Sequence, residues 1–123
     1  PGHWVPEMVQ RAGGECLVGT AGERSVSAEW EELRELDPDV LLIEPCGYDV
    51  ERATQEAFEH SDRLGEIAPR AAAAGAVWAL DSAWFSRSGP RVIDGVEALT
   101  RILHPGALPG TPDSAIARRL PIR

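Results

Sequence analysis

Asp37-Pro38-Asp39-Val40-Leu41-Leu42-Ile43-Glu44-Pro45-Cys46-Gly47-Tyr48-Asp49 is the stretch that decides the fold class of this chain. Four consecutive aliphatic residues bounded by turn formers predict a strand buried on both faces, the habit of parallel sheets. On its amino-terminal side, Ser27 is placed to cap a helix over 28–36 in which Trp30, Leu33 and Leu36 recur at helical spacing. On its carboxyl side, Asp49 caps a long helix to Leu64 with Val50, Ala53, Ala57, Phe58 and Leu64 on one stripe.

Further out, the same alternation continues. Pro6 to Ala12 reads as a short helix stopped by Gly13-Gly14, followed by a brief apolar run, Cys16-Leu17-Val18, that predicts a short strand. Residues 65–75, rich in alanine with Gly65, Pro69 and Gly75, predict at most a helical turn. Ala76 to Leu80 is the next strand, and a helix begins near Pro90 with Val92, Ile93, Val96, Leu99 and Leu103 inward. Helix and strand in alternation predict an α/β fold with a small, open, mainly parallel sheet flanked by helices. A sheet this small leaves an edge poorly protected. The folded lobe is expected over 1–104, with 105–123, rich in Pro and Gly, as a disordered tail.

Composition narrows the function classes. The 123 residues carry a formal net charge of -8, which argues against a nucleic-acid partner. Fourteen of the 20 carboxylates fall between residues 23 and 66, against four arginines, and read as solvated helix faces. All 12 basic residues are arginine, and lysine and asparagine are missing. A bias toward GC-rich codons explains that pattern without invoking chemistry. No apolar run approaches the length of a membrane span. Cys16 and Cys46 form no CxxC pair and have no histidine at metal-ligand spacing, so two half-buried thiols and a disulfide both remain open. The chain starts at Pro1 without a signal-peptide pattern, which reads as a cut or processed end.

Catalytic patterns are missing from the sequence. Ser82, Ser86 and Ser88 sit outside any nucleophile elbow, and His3, His60 and His104 fall on three separate segments. No enzyme, cofactor or metal site is expected. Asp81 and Glu44 both fall at strand ends, where capping and loop hydrogen bonding are the natural roles. Binding is better served. Asp81-Ser82-Ala83-Trp84-Phe85-Ser86-Arg87-Ser88-Gly89-Pro90-Arg91 occupies a strand-to-helix turn, where open α/β sheets place ligand contacts. Tyr48 sits with Cys46 and Gly47 in the adjacent strand-end loop, beside Trp84, Phe85 and Arg87. Aromatic faces with a nearby arginine suit a large planar ligand. For Phe85, a core position is an equal alternative. Trp4, ahead of the first helix, is a further candidate contact, with a hydrophobic staple as its other reading.

These residues also carry a family resemblance. Gly2 to Val9 with Ala12-Gly13-Gly14, Asp37 to Val40, Pro45 to Asp49 and the Trp-Phe-x-Arg-x-x-Pro-Arg run to Arg91 resemble the C-terminal lobe of cobalamin-binding proteins. Those belong to the helix-linked class of ABC-transporter substrate-binding proteins. The resemblance spans about residues 2–104 and implies one lobe of a two-lobe fold, with a corrinoid held between lobes. It implies Trp84, Phe85 and Arg87 as ligand contacts, and Glu7 as the carboxylate that docks the ABC-transporter permease. Ala83 departs from the acidic residue that some relatives carry there. The N-terminal lobe and linking helix have no counterpart in these 123 residues.

The implied function is solute binding for import of cobalamin or another corrinoid, without turnover. Transporter-linked relatives work outside the membrane, in the periplasm or at the cell surface, and relatives without a signal stay cytoplasmic. An iron-siderophore or haem would use the same kind of site. A module that docks a basic partner on its acidic helices is the alternative from another class.

Overall fold

The computed structural model describes residues 5–17, 30–45, 47–85 and 91–122, with the side chains of Trp30, Arg91 and Val92 left aside. The aliphatic run forms β1 (Leu41–Ile43), which pairs in parallel with β2 (Val77–Leu80), Leu41 facing Val77 and Ile43 facing Ala79. The crossover between them runs through α3 (Val50–Glu59), α4 (Ser61–Ile67) and α5 (Pro69–Ala73). Ahead of β1 come α1 (Val5–Arg11) and α2 (Trp30–Leu36). A 3-10 turn (Ser82–Trp84) and α6 (Arg91–Leu103) follow β2, and β3 (Ala117–Arg119) closes the order β1-β2-β3. The chain is therefore α/β with an open sheet flanked by helices. The sheet is mixed, with one parallel and one antiparallel pairing.

All four residues of β2 are buried, because helices cover both faces of the central strand. Trp78 and Leu80 point into a core with Met8 and Val9 of α1 and Ala98, Leu99 and Ile102 of α6. Val77 and Ala79 point the opposite way, against Ala53, Ala57, Leu64, Ile67 and Ala71 of the crossover helices. Small alanines on that side let the three short helices lie close to the strand. The turn before β1 is anchored from the crossover. Asp37 takes a left-handed conformation (φ 38°) just after α2, its carboxylate accepts the Arg70 N–H at 3.4 Å, and the Arg70 guanidinium pairs with Asp39. Aspartate is among the few side chains that tolerate this backbone region.

Several expectations are corrected. The tail over 105–123 is not disordered throughout: β3 pairs antiparallel with β2, Leu80 facing Ala117 and Trp78 facing Arg119. Ile116, Ala117, Leu120 and Ile122 are buried. Their apolar surface covers the strand that would otherwise be an open edge, and Arg118, Arg119 and Pro121 protect the new edge. Cys16 and Leu17 form no strand, and Leu17 is exposed; Val18, like Ser27, lies outside the described residues.

The long helix to Leu64 breaks at His60. There the His60 N–H turns back to the Ala57 carbonyl at 3.1 Å and Nδ1 reaches the Glu56 carbonyl at 3.0 Å. The break redirects α4 so that Leu64 and Ile67 face the sheet. It also leaves Phe58 exposed and off the α3 stripe. The segment after Leu64 is more helical than expected, since α4 runs on to Ile67 and Pro69 opens α5. Ile93, expected inward, is 67% exposed, because the buried face of α6 runs through Gly95, Ala98, Leu99 and Ile102.

Two glycines set how closely the helices approach. At Gly95 an added Cβ would stand 2.6 Å from the Trp84 carbonyl oxygen and 2.8 Å from Met8 Cε. Gly13 (φ 91°) ends α1 with its carbonyl oxygen 2.7 Å from His104 Nε2, tying the ends of α1 and α6 together.

Two stability measurements check this architecture. Leu120→Ala should lower the urea-unfolding free energy by about 2–5 kcal/mol, as for a buried core leucine; no change would mean that the C-terminal strand does not pack. Gly95→Ala would gain up to about 1 kcal/mol from helix propensity alone. The carbonyl contact should outweigh that gain and give a net loss of about 1–3 kcal/mol.

Candidate functional site

Parallel pairing of β1 and β2 brings their carboxyl ends side by side, and two loops leave from there. The first is a turn, Pro45 to Tyr48, closed by the Tyr48 N–H donating to the Pro45 carbonyl at 3.1 Å. Gly47, just before the closing amide, sits at φ 82°, the left-handed region that glycine enters without steric cost. The second loop is the 3-10 turn, capped by Asp81, whose Oδ1 accepts the Ala83 N–H at 2.9 Å.

Hydrogen bonds stitch the two loops together. The Ser82 N–H donates to the Tyr48 carbonyl at 3.0 Å. Asp81 Oδ2 accepts the Val50 N–H, the first of α3, at 3.2 Å. The Asp81 N–H itself donates to the Ile116 carbonyl at 2.8 Å, tying the site to the segment entering β3. A half-buried carboxylate thus satisfies amide donors from two elements at once.

The rings leave this frame toward opposite faces of the sheet. Tyr48 is half-buried against the Ala53–Leu64 side, and Trp84 is half-buried against the Met8–Leu99 side. They flank the strand ends like two partly exposed walls. Arg52, in the first turn of α3, sets its guanidinium carbon 4.3 Å from the centroid of the Tyr48 ring. Sequence reading did not single out Arg52. The signal available was its position, four residues after Tyr48 across a capped helix start.

Two carboxylates already serve the N-terminus of α3. Asp49 Oδ1 accepts the Arg52 N–H at 2.8 Å, and Asp81 takes that of Val50. Helix N-termini commonly cradle anions, but here the protein's own carboxylates fill that role. The aromatic faces and the Arg52 side chain are among the other groups that the described residues place at this end of the sheet.

Of the expected contacts, Tyr48, Gly47 and Trp84 are brought to one end of the sheet. Phe85 is not a contact: it is fully buried in the α1–α6 core, under Gly95, where the 3-10 turn folds it inward. Trp4, Cys46 and Arg87 lie outside the described residues. Glu7 is exposed on the first turn of α1 and pairs with Arg11 at 3.0 Å. Glu44 is half-buried at the end of β1. Asp81 has the capping role read from the sequence.

Among the described residues no group of three or more His, Cys, Asp or Glu side chains is arranged to hold a metal ion. Nor, among them, is any helix long and apolar enough to cross a membrane. An apolar groove of about 740 Å³ runs along the outer edge of β1, floored by Leu42, Leu80 and Leu99.

Asp81→Ala should cost about 1–3 kcal/mol in unfolding free energy, because two partly buried N–H groups lose their acceptor. The Trp84 indole resonance should shift with it. An unchanged indole resonance would show that Asp81 does not position the aromatic wall. No family model, no curated protein and no solved structure matches this chain in comparison with known proteins.

Proposed function

We propose that this chain is a non-enzymatic solute-binding lobe for ABC-type import, and that its ligand is cobalamin or another corrinoid. The carrying observation is the pair of hydrogen-bonded strand-end loops that present Tyr48 and Trp84 as half-exposed rings on either side of the strand ends. A large conjugated ring system buries area against such faces without needing charge. Of the ligand contacts that the family resemblance implies, Trp84 belongs to this pair of loops, while Tyr48 and Gly47 are candidates from the sequence itself. In this reading the opposite wall of the cleft comes from an N-terminal lobe, and the protein works outside the membrane. Glu7, exposed on α1, is the carboxylate offered to the permease. Haem and iron-siderophores are the competing ligands, since they want the same aromatic and arginine contacts.

A second reading rests on the helices of the other face. Glu31, Glu32 and Glu35 of α2 are exposed, and α2 packs on α4, whose Asp62 and Glu66 are exposed as well. That surface would dock a basic partner. Replacing Glu31, Glu32 and Glu35 by Gln would abolish capture of such a partner and leave corrinoid binding unchanged.

Titration with cyanocobalamin, haemin and ferrichrome, followed by tryptophan fluorescence and by amide and indole NMR shifts, tests the ligand. Cyanocobalamin should shift the Trp84 indole signal, and Trp84→Ala should weaken binding at least about tenfold. Phe85→Ala should act on stability instead, by about 3–5 kcal/mol. Unchanged corrinoid affinity in Trp84→Ala would remove the site, and a response to haemin alone would replace the ligand.

A further inference from the structure

Two arginines with described side chains, Arg52 and Arg119, rest on aromatic rings; Arg119 lies over Trp78 on β2, 5.2 Å from the ring centroid, and Arg52 lies at the strand-end loops. Arg11, Arg34 and Arg70 pair with carboxylates, and Arg101 and Arg118 donate to backbone carbonyls. Arg52 does neither: among the described residues no carboxylate lies within ion-pair distance of it, and its guanidinium makes no hydrogen bond. That is notable on a chain of net charge -8, in a helix with Glu51 beside it and Glu56 one turn on. Glu56 approaches His60 instead, at 3.9 Å, and Asp49 is engaged by the Arg52 backbone N–H. What holds the guanidinium is the Tyr48 ring, 4.3 Å below it. Tyr48 is in turn fixed by its turn and by the Ser82 bond. A guanidinium resting on an aromatic face keeps its in-plane N–H donors free for an incoming acceptor. Among the described residues beyond its chain neighbours, none places an atom within 4 Å of where a Cβ on Gly47 would sit.

We propose that Arg52 is a ligand-contacting residue of this site, donating its guanidinium N–H groups to a side-arm oxygen on the rim of the bound ring system. The proposal rests on the corrinoid reading and deepens it. Rings alone recognise any flat conjugated body. A positioned donor selects ligands that carry carbonyl or carboxylate oxygens around that body, as the amide arms of a corrinoid do. It also places a cation beside the carboxylates at the start of α3, Asp49, Glu51 and Asp81. Charge-assisted donation of this kind is about twice as strong as a neutral hydrogen bond.

The test uses the chain itself with cyanocobalamin as probe. Trp84 indole and Arg52 Nε–H signals are followed by NMR at ligand concentrations up to millimolar. Arg52→Met keeps an unbranched stem over Tyr48 and removes every donor, whereas Arg52→Lys keeps a charge without the planar fork. The expected result is a ligand-dependent shift of the Arg52 Nε–H signal. Binding should weaken about tenfold in Arg52→Met, with a smaller loss in Arg52→Lys and an unchanged urea midpoint in both. A purely structural role would move the urea midpoint and leave the affinity alone. If Arg52→Met binds within about twofold of the parent while Trp84→Ala loses binding, the Arg52 contact is overturned and the corrinoid reading stands. If cyanocobalamin shifts neither signal in the parent chain, both are overturned.

Discussion

The half-buried carboxylate of Asp81 occupies the one point where four parts of this fold meet. Its side chain accepts from the first amide of α3 and from the 3-10 turn, while its own N–H reaches the Ile116 carbonyl ahead of β3. A carboxylate can accept several hydrogen bonds, and satisfying amides is the condition on which such a group is held away from water. The bond to Ile116 continues the β2–β3 pairing one step past its end, so the sheet, the crossover helix and the 3-10 turn share one joint. With that joint in place, the backbone that carries Tyr48 and Trp84 is fixed at one end of the sheet, and each ring packs against the core on its own side.

The joint works because β2 is stabilised from every side. Parallel pairing to β1 and antiparallel pairing to β3 satisfy its backbone, and two separate cores cover its faces. Burial at about 25 cal/mol per Å² of apolar surface is the main favourable contribution in a domain of this size. Dividing it between two thin cores leaves each dependent on close approach. Gly95 supplies that approach for α6, and alanines supply it for the crossover helices. The same compression turns Phe85 inward while Trp84, one residue earlier, stays at the surface. Side-chain size does not separate these two aromatics; the backbone of the 3-10 turn does.

What the sequence revealed follows from how local each signal was. The Val40–Ile43 run, the Asp49 cap and the Gly47 turn act within a few residues, and each was readable at its position. Asp81 was readable as a cap for the same reason. The C-terminal strand was not, because Ile116, Ala117, Leu120 and Ile122 are scattered among Pro, Gly and Arg and acquire order only by pairing with a strand about 40 residues away. The break at His60 was hidden because every residue from Val50 to Ile67 tolerates a helix; the sheet's demand on Leu64 and Ile67 decides it. The inward face of α6 was misplaced at Ile93 for a similar reason. Gly95 had no weight as an apolar residue, yet it lies at the closest contact. Arg52 was invisible because an arginine in an acidic helix reads as an ion-pair partner, and only the position of the Tyr48 ring shows it is held otherwise.

Charge then explains why, in the proposed site, recognition would rest on rings. Open α/β folds often bind anions at a helix N-terminus beside the strand ends. Here Asp49 and Asp81 already complement the dipole of α3, and Glu51 adds a third carboxylate in its first turn. An anionic ligand approaching that terminus meets repulsion that the remaining amide donors do not offset. A ligand with a broad apolar face escapes that repulsion, because area burial is indifferent to the sign of nearby charge. In the proposed site its polar edge would be served by Arg52, held on Tyr48 beside the carboxylates that complement the helix. The acidic start of α3 and the aromatic faces beside it are therefore parts of one arrangement: because the helix terminus is filled from within, the proposed mode of binding is stacking, with Arg52 as its directed donor.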